Sequence, residues 1–358
     1  MSNKYISFEP WPGGFSNIRM SYEIAATISI VTGRTLILPR KSECLFLSGE
    51  TADSWFDIFD LLDITKFRDN FDFTFSDEID IYKALETPTS LFDGVADVAR
   101  IILFNDSDGS EFPPVPMGNS TVLICGNQYC DRAHIFIDNR TVIDLQTDDT
   151  FMHFPRNLFG HFYYHVYANS IEKRNLIKSK IHRGICFQSS FYDKASCLIS
   201  KLGSYNAIHV RRNDFLVTRR ESALTQLEIL EKNLIRLLDS ALPLYIATDE
   251  IDLNVFDSLR NNFNIYFFGD FFSELDHASS IAVEQIICAN AYMFLGSAFS
   301  TFSDSINILR GSIPGRLDCH RKGNNFERES LSFKCYPWEV ESYSWHLLWD
   351  YCWKLETL

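Results

Sequence analysis

The chain has 358 residues, 46% of them hydrophobic and 22% charged, which are the proportions of an ordinary soluble globular protein with two domains or one large one. Its formal net charge of −14 lacks the positive footprint that nucleic acid or an anionic membrane requires, so neither is expected as a general partner. Nine cysteines, scattered and never in a C-x-x-C pair, argue against a disulfide framework or a zinc site. Residues 1–8 carry no apolar h-region, and no apolar run approaches the ~18 residues of a membrane span. A cytoplasmic protein with no membrane span is therefore expected.

In chain order, residues 4–8 read as a short strand and residues 10–14, rich in Pro and Gly, as a tight loop. Apolar positions from Ile18 to Ile30 recur at mostly helical spacing over 16–32, with Gly33 as a C-cap, and 35–39 read as a second buried strand. Strand, glycine loop, helix and strand make a βαβ unit, which implies a parallel sheet. The stretch 40–120 is loop-rich and acidic, with short helices expected near 55–62 and 91–101. Residues 121–125 read as a strand, and 151–180 as helical. The second half repeats the rhythm, with strands at 206–210, 244–247, 265–268 and 292–295. Helices are expected at 224–238, 253–260, 281–291 and from 303 onward. The boundary falls near 190, giving domains 1–190 and 191–340, and residues 341–358 read as a final helix packing back.

In open α/β sheets, ligands bind beyond the carboxyl ends of strands, beside helix N-termini whose free N–H groups favour anions. Three segments place polar residues there. The first is Gly13-Gly14-Phe15-Ser16-Asn17-Ile18-Arg19, which is neither a dinucleotide fingerprint nor a P-loop. The second is His209-Val210-Arg211-Arg212-Asn213-Asp214-Phe215, where alternation puts His209 and Arg211 on one face. Arg211 there either clamps a diphosphate with its planar fork or pairs with Asp214 or Glu221. The third is Gly296-Ser297 with Ser300-Thr301-Phe302-Ser303, whose hydroxyls either cap a helix or cradle a phosphate. Asp106-Ser107-Asp108 has the form of a metal-binding D-x-D but reads as a solvated loop. His161 and His165, four apart on the expected helix, have no third ligand nearby, so no metal is expected.

Together, the glycine loop, the His209-x-Arg211-Arg212-x-Asp214-Phe215 run, Val283-Glu284-Gln285 and the Gly296 to Ser303 turn resemble the GDP-fucose O-fucosyltransferase family, over about residues 5–311. Its broader relatives include α1,6-fucosyltransferases. The resemblance implies an α/β GT-B glycosyltransferase, with two Rossmann-like domains facing across a cleft. It further implies inverting transfer from GDP-fucose to a hydroxyl of a glycan or protein, with no metal or other cofactor. Arg211 would bind the β-phosphate and stabilise it as it leaves, with His209 beside it. Ser300, Thr301 and Phe302 would hold the phosphates and flank the nucleotide. Glu284 stands where the family often has Asp, as a guanosine contact, and Asn17 lies near the donor sugar and acceptor. Gly13, Gly14, Phe15, Arg212 and Asp249 complete the expected donor-binding set. Some members carry a Glu general base in the glycine loop. Gly13 replaces it here, leaving either Glu9 as base or a reaction driven by phosphate departure, in which Asn17 only orients. Two other readings are a rhamnosyl or other deoxysugar transferase using a UDP or dTDP donor, and an inactive nucleotide- or glycan-binding module.

Overall fold

The computed structural model describes residues 4–10, 13–44, 55–78, 89–91, 132–136, 150–154, 163–167, 171–213, 216, 231, 234–235, 238–273, 275–297 and 300–312. The chain divides between Gln188 and Ser189 into two compact units, each with its own parallel sheet.

The first unit opens with β1 (Tyr5–Phe8), α1 (Phe15–Thr32) and β2 (Thr35–Leu38). All but one of the residues from Phe15 to Ser29 in α1 are buried, so the helix lies within the core rather than on its surface. Its interior hydroxyls are satisfied locally: Thr27 donates to the Glu23 carbonyl at 2.8 Å and Thr32 to that of Ile28 at 2.7 Å. Gly33 ends the helix in the left-handed region, at φ 65°, and its N–H returns to the Ser29 carbonyl. A short antiparallel pair follows, β3 (Ser42–Glu43) and β4 (Trp55–Phe56), then α2 (Ile64–Asn70), β5 (Phe73–Phe75), β6 (Thr89–Leu91), β7 (Arg132–Phe136), β8 (Phe151–Phe154) and β9 (Tyr163–Tyr167). Five of these form an all-parallel sheet in the order β5-β2-β1-β8-β6, while β7 pairs with β9. The unit closes with α3 (Ile171–Gly184).

Two expectations in this unit are corrected. Within the helix expected over 151–180, Phe151–Phe154 and Tyr163–Tyr167 are the strands β8 and β9, and the described helix is Ile171–Gly184. Aromatic and β-branched residues at Tyr163, Val166 and Tyr167 favour a pleated strand, and their spacing alone does not separate the two structures. His165 accordingly sits on a strand rather than on the expected helix, and His161 lies outside the described residues. Near 55–62 the structure has β4 and a single 3₁₀ turn, Ile58–Asp60; the helix comes later, as α2. Aspartates set both starts, since Asp57 accepts from Phe59 N–H at 2.9 Å and Asp63 from those of Thr65 and Lys66 at 2.9 and 3.1 Å.

The second unit starts with α4 (Ser189–Leu202), an amphipathic helix missed in the sequence, and continues through β10 (Asn206–Val210), β11 (Leu244–Thr248), a 3₁₀ helix over Leu253–Asn261, β12 (Ile265–Phe267), α5 (His277–Asn290), β13 (Met293–Leu295) and α6 (Thr301–Ser312). The sheet is all parallel in the order β12-β11-β10-β13. Ile208, Val210, Leu244, Ile246, Phe256 and Leu295 form a core on one face. On the other, Ala207 and Ala247 are fully buried and small enough for α5 to approach. Buried Arg310 of α6 donates to the carbonyls of Ala289 and Ala291 at 3.0 and 2.7 Å, satisfying the C-terminal end of α5. The expected strand at 121–125, the helix at 91–101 beyond Leu91, most of the helix at 224–238, Asp106 to Asp108 and the final helix lie outside the described residues.

Candidate functional site

Both sheets change direction where the candidates lie. In the second unit the chain builds β10, β11 and β12 outward on one side and then returns to place β13 on the other side of β10. Beyond the carboxyl ends of β10 and β13 is the topological switch point, where open α/β sheets take their ligands. His209 is the penultimate residue of β10, Arg211 to Asn213 follow that strand, and Gly296, Ser297 and Ser300 follow β13.

A polar network joins these two strand ends. Ser297 Oγ donates to the His209 carbonyl at 2.9 Å and accepts from Arg211 N–H at 2.8 Å, continuing the ladder past the last paired residues. Ser303, in the first turn of α6, is 2.7 Å from His209 Nδ1 and accepts from Ser297 N–H at 2.8 Å. Phe302 lies against the His209 ring with centroids 4.6 Å apart. Burial, reinforced by the Arg211 charge, pushes the His209 pKa down to about 3, so its imidazole is neutral in the ordinary range.

A second clamp comes from β11. Asp249 accepts from Arg212 N–H at 2.7 Å and Asn213 N–H at 3.2 Å, so it holds the backbone of the arginine run. The oxygen that accepts from Asn213 also stands 3.9 Å from Arg211 Nε. Arg212 is buried and pairs with Glu250 at 2.6 Å. Arg211 is the more exposed of the two arginines, with a quarter of its side chain accessible. The sequence reading offered Asp214 or Glu221 as structural partners for Arg211; both lie outside the described residues.

Ser300 just precedes α6. Its hydroxyl is buried at 2% exposure and has no hydrogen-bond partner among the described residues, so it does not serve as the helix cap that its residue type allows. An unpaired buried hydroxyl costs about 1–3 kcal/mol, and such a group calls for an explanation. Here it lies beside the first N–H groups of a twelve-residue helix and close in sequence to the residues on His209. Thr301 is the first residue of that helix.

The other candidates fall in the first unit, at the switch between β1 and β8. Glu9 is exposed immediately after β1. Gly13 is buried and bridges to Cys44. Gly14 is the N-cap of α1 through its extended backbone, with no side-chain bond. Phe15 is 3% exposed and packs on Phe187 and Phe56, so it anchors the loop from beneath. Asn17 is half-buried in the first turn. Arg19, at the end of the same segment, is an internal brace. It is 2.9 Å from Glu23, donates to the Ile185 carbonyl at 3.0 Å and lies over Phe187.

The family model of the GDP-fucose protein O-fucosyltransferases matches residues 5–312. The chain belongs to that family. No curated protein sequence matches it significantly. Among solved structures, POFUT1 in complex with GDP-fucose is similar at 13% identity, with 87% of this chain and 94% of that chain covered and a TM-score of 0.50. The NodZ α1,6-fucosyltransferase soaked with GDP-fucose gives 14% identity, 86% and 93% coverage and a TM-score of 0.49. Another NodZ structure, from Bradyrhizobium, gives 14%, 86%, 93% and 0.48. This O-fucosyltransferase family member is thus a glycosyltransferase, with the mixed, parallel α/β fold of the GT-B class.

Glu284 of this glycosyltransferase lies on α5, where its carboxylate accepts from the Tyr245 hydroxyl at 3.1 Å. Burial, with the Asp249 charge adding to it, pushes its pKa up to about 8. Sequence reasoning missed Ser297, Ser303 and Glu250 as parts of this site. The serines stood within a quoted motif, but no spacing rule links them to His209, about ninety residues earlier. Among the described residues no group of three or more His, Cys, Asp or Glu is placed to hold a metal, and no helix is long and apolar enough to cross a membrane.

Proposed function

We propose that the protein transfers fucose from GDP-fucose to a hydroxyl of a glycan or protein acceptor, with inversion at the anomeric carbon. The acceptor oxygen forms the new bond to that carbon. The bond from the carbon to the β-phosphate oxygen breaks, and its electron pair leaves with GDP. The acceptor proton passes to a base, for which Glu9, exposed at the end of β1, is our candidate, or to the departing phosphate. Asn17 orients the sugar and acceptor.

One observation carries this reading. A buried hydroxyl with no partner among the described residues (Ser300), a helix N-terminus and the Arg211 guanidinium fall at the switch point of a parallel sheet. That combination offers N–H and O–H donors and positive charge where a leaving diphosphate gathers negative charge. Those groups supply what a divalent ion supplies in other transferases, so we infer a metal-independent reaction. Glu284, paired with Tyr245, suits the donor edge of a guanine. Among the described residues, the thiols Cys186, Cys197 and Cys288 fit the reducing cytoplasm as the place of action.

Calorimetric titration of GDP and UDP, followed by GDP release from GDP-fucose, tests this. GDP is expected to bind at least about tenfold more tightly. Tighter UDP binding would overturn the fucosyl reading, and binding without turnover would make the protein a binding module.

A further inference from the structure

We infer that Ser303 is a positioning residue that holds the His209 imidazole in the Nε2–H form, so that His209 presents a hydrogen-bond donor to the donor diphosphate. The inference rests on the functional reading above for the identity of the ligand, but the tautomer itself follows from proton accounting.

A serine hydroxyl has one proton and two lone pairs. Among the described residues, the partners of Ser303 Oγ are Ser297 N–H, at 2.8 Å, and His209 Nδ1, at 2.7 Å. The N–H takes one lone pair. If Nδ1 carried the ring proton it would donate to the second lone pair, and the hydroxyl proton would be left without an acceptor among the described residues. If Nδ1 is bare, the hydroxyl proton goes to it and every group is satisfied. The second arrangement therefore prevails, and in a neutral ring the proton then resides on Nε2. Burial and the adjacent Arg211 charge keep the ring neutral.

The consequence is a matter of sign. A bare Nε2 would aim a lone pair at phosphate oxygens and repel them; Nε2–H donates to them. The serine pair thus decides whether the histidine attracts the diphosphate. It also excludes His209 as the base that deprotonates the acceptor, since its free lone pair is already bonded to Ser303.

Gly296 makes the arrangement possible. A Cβ on Gly296 would lie 2.7 Å from Ser303 Cβ and 2.8 Å from its Oγ, closer than atoms approach. Alanine there would force Ser303 away from the histidine.

The direct test is nitrogen NMR of the full chain labelled with ¹⁵N-histidine at pH 7 without nucleotide, with His209 assigned by its absence in His209→Gln. A proton on Nε2 and a bare Nδ1 are expected. A proton on Nδ1, or a doubly protonated ring, would overturn the inference. In Ser303→Ala and in Gly296→Ala the ring is expected to lose this single tautomer, with GDP affinity falling about tenfold for the loss of one charge-assisted donor. Glutamine places an N–H near the Nε2 position, so His209→Gln is expected to bind GDP at least about fivefold more tightly than His209→Ala. Equal binding by those two variants would count against donation. Failure of the wild type to bind GDP would instead overturn the functional reading and leave the tautomer result standing.

Discussion

The two switch-point loops solve different problems with different materials. In the first unit the glycine loop acts through backbone and packing: Gly14 caps α1 without a side chain, Phe15 is buried beneath the loop, and Arg19 is consumed by Glu23 and the Ile185 carbonyl. In the second unit, side chains carry the arrangement, with Ser297, Ser303 and Asp249 holding His209, Arg211 and Arg212 in place. A loop held by packing tolerates few changes in its buried residues and reveals little of its chemistry. A loop held by polar side chains declares what it binds.

That contrast can be broken most severely at Arg211. Arg211→Ala is expected to lower transfer from GDP-fucose by at least about a hundredfold, because the lost charge acts on the leaving phosphate. Activity near wild type would mean that the second loop is not the phosphate site.

Next in size is a stability effect confined to the first unit. Phe15→Ala removes a buried ring from between Phe56 and Phe187 and should cost about 3–5 kcal/mol. Denaturant unfolding measures it; a loss below about 1 kcal/mol would show that the ring is not structural. Asn17→Ala should separate the loops kinetically, lowering turnover about tenfold while GDP affinity changes less than about twofold. A large loss of GDP affinity would move Asn17 to the phosphate side.

The smallest effects are those of pH, and they have two signs. Glu284 has a folded pKa raised from 4.5 to about 8, so between those values the folded chain holds more protons than the unfolded one and stability falls as pH rises. His209 has a folded pKa lowered from 6.5 to about 3, so in that window stability falls as pH falls. Thermal melts should therefore show Glu284→Gln gaining relative to wild type from pH 5 to 8. Equal slopes would remove the burial argument. If Glu284 accepts from guanine, GDP affinity should also rise over that range and binding should release a proton, readable from the buffer dependence of the binding heat.

How much was legible follows from the same contrast. The strands at Tyr5–Phe8, Thr35–Leu38, Asn206–Val210 and Leu244–Thr248 were readable because each is a short apolar run bounded by turn residues. Helix α1, with its left-handed Gly33 cap, was readable for similar reasons. Strands β8 and β9 were not, because aromatic residues spaced three and four apart fit either structure. At the site, His209 and Arg211 stood out by residue type at a strand end. Ser303 did not, since a helix-start serine looks like any cap, and only the fold brings it to His209.

The most direct test of the account is calorimetric titration of GDP, at pH 9 so that Glu284 is largely ionised, into the wild type and Arg211→Ala. Loss of one charge-assisted contact, about 1.5–3 kcal/mol, predicts at least about tenfold weaker binding by the variant. Equal dissociation constants for the two proteins would contradict a phosphate site at the carboxyl end of β10.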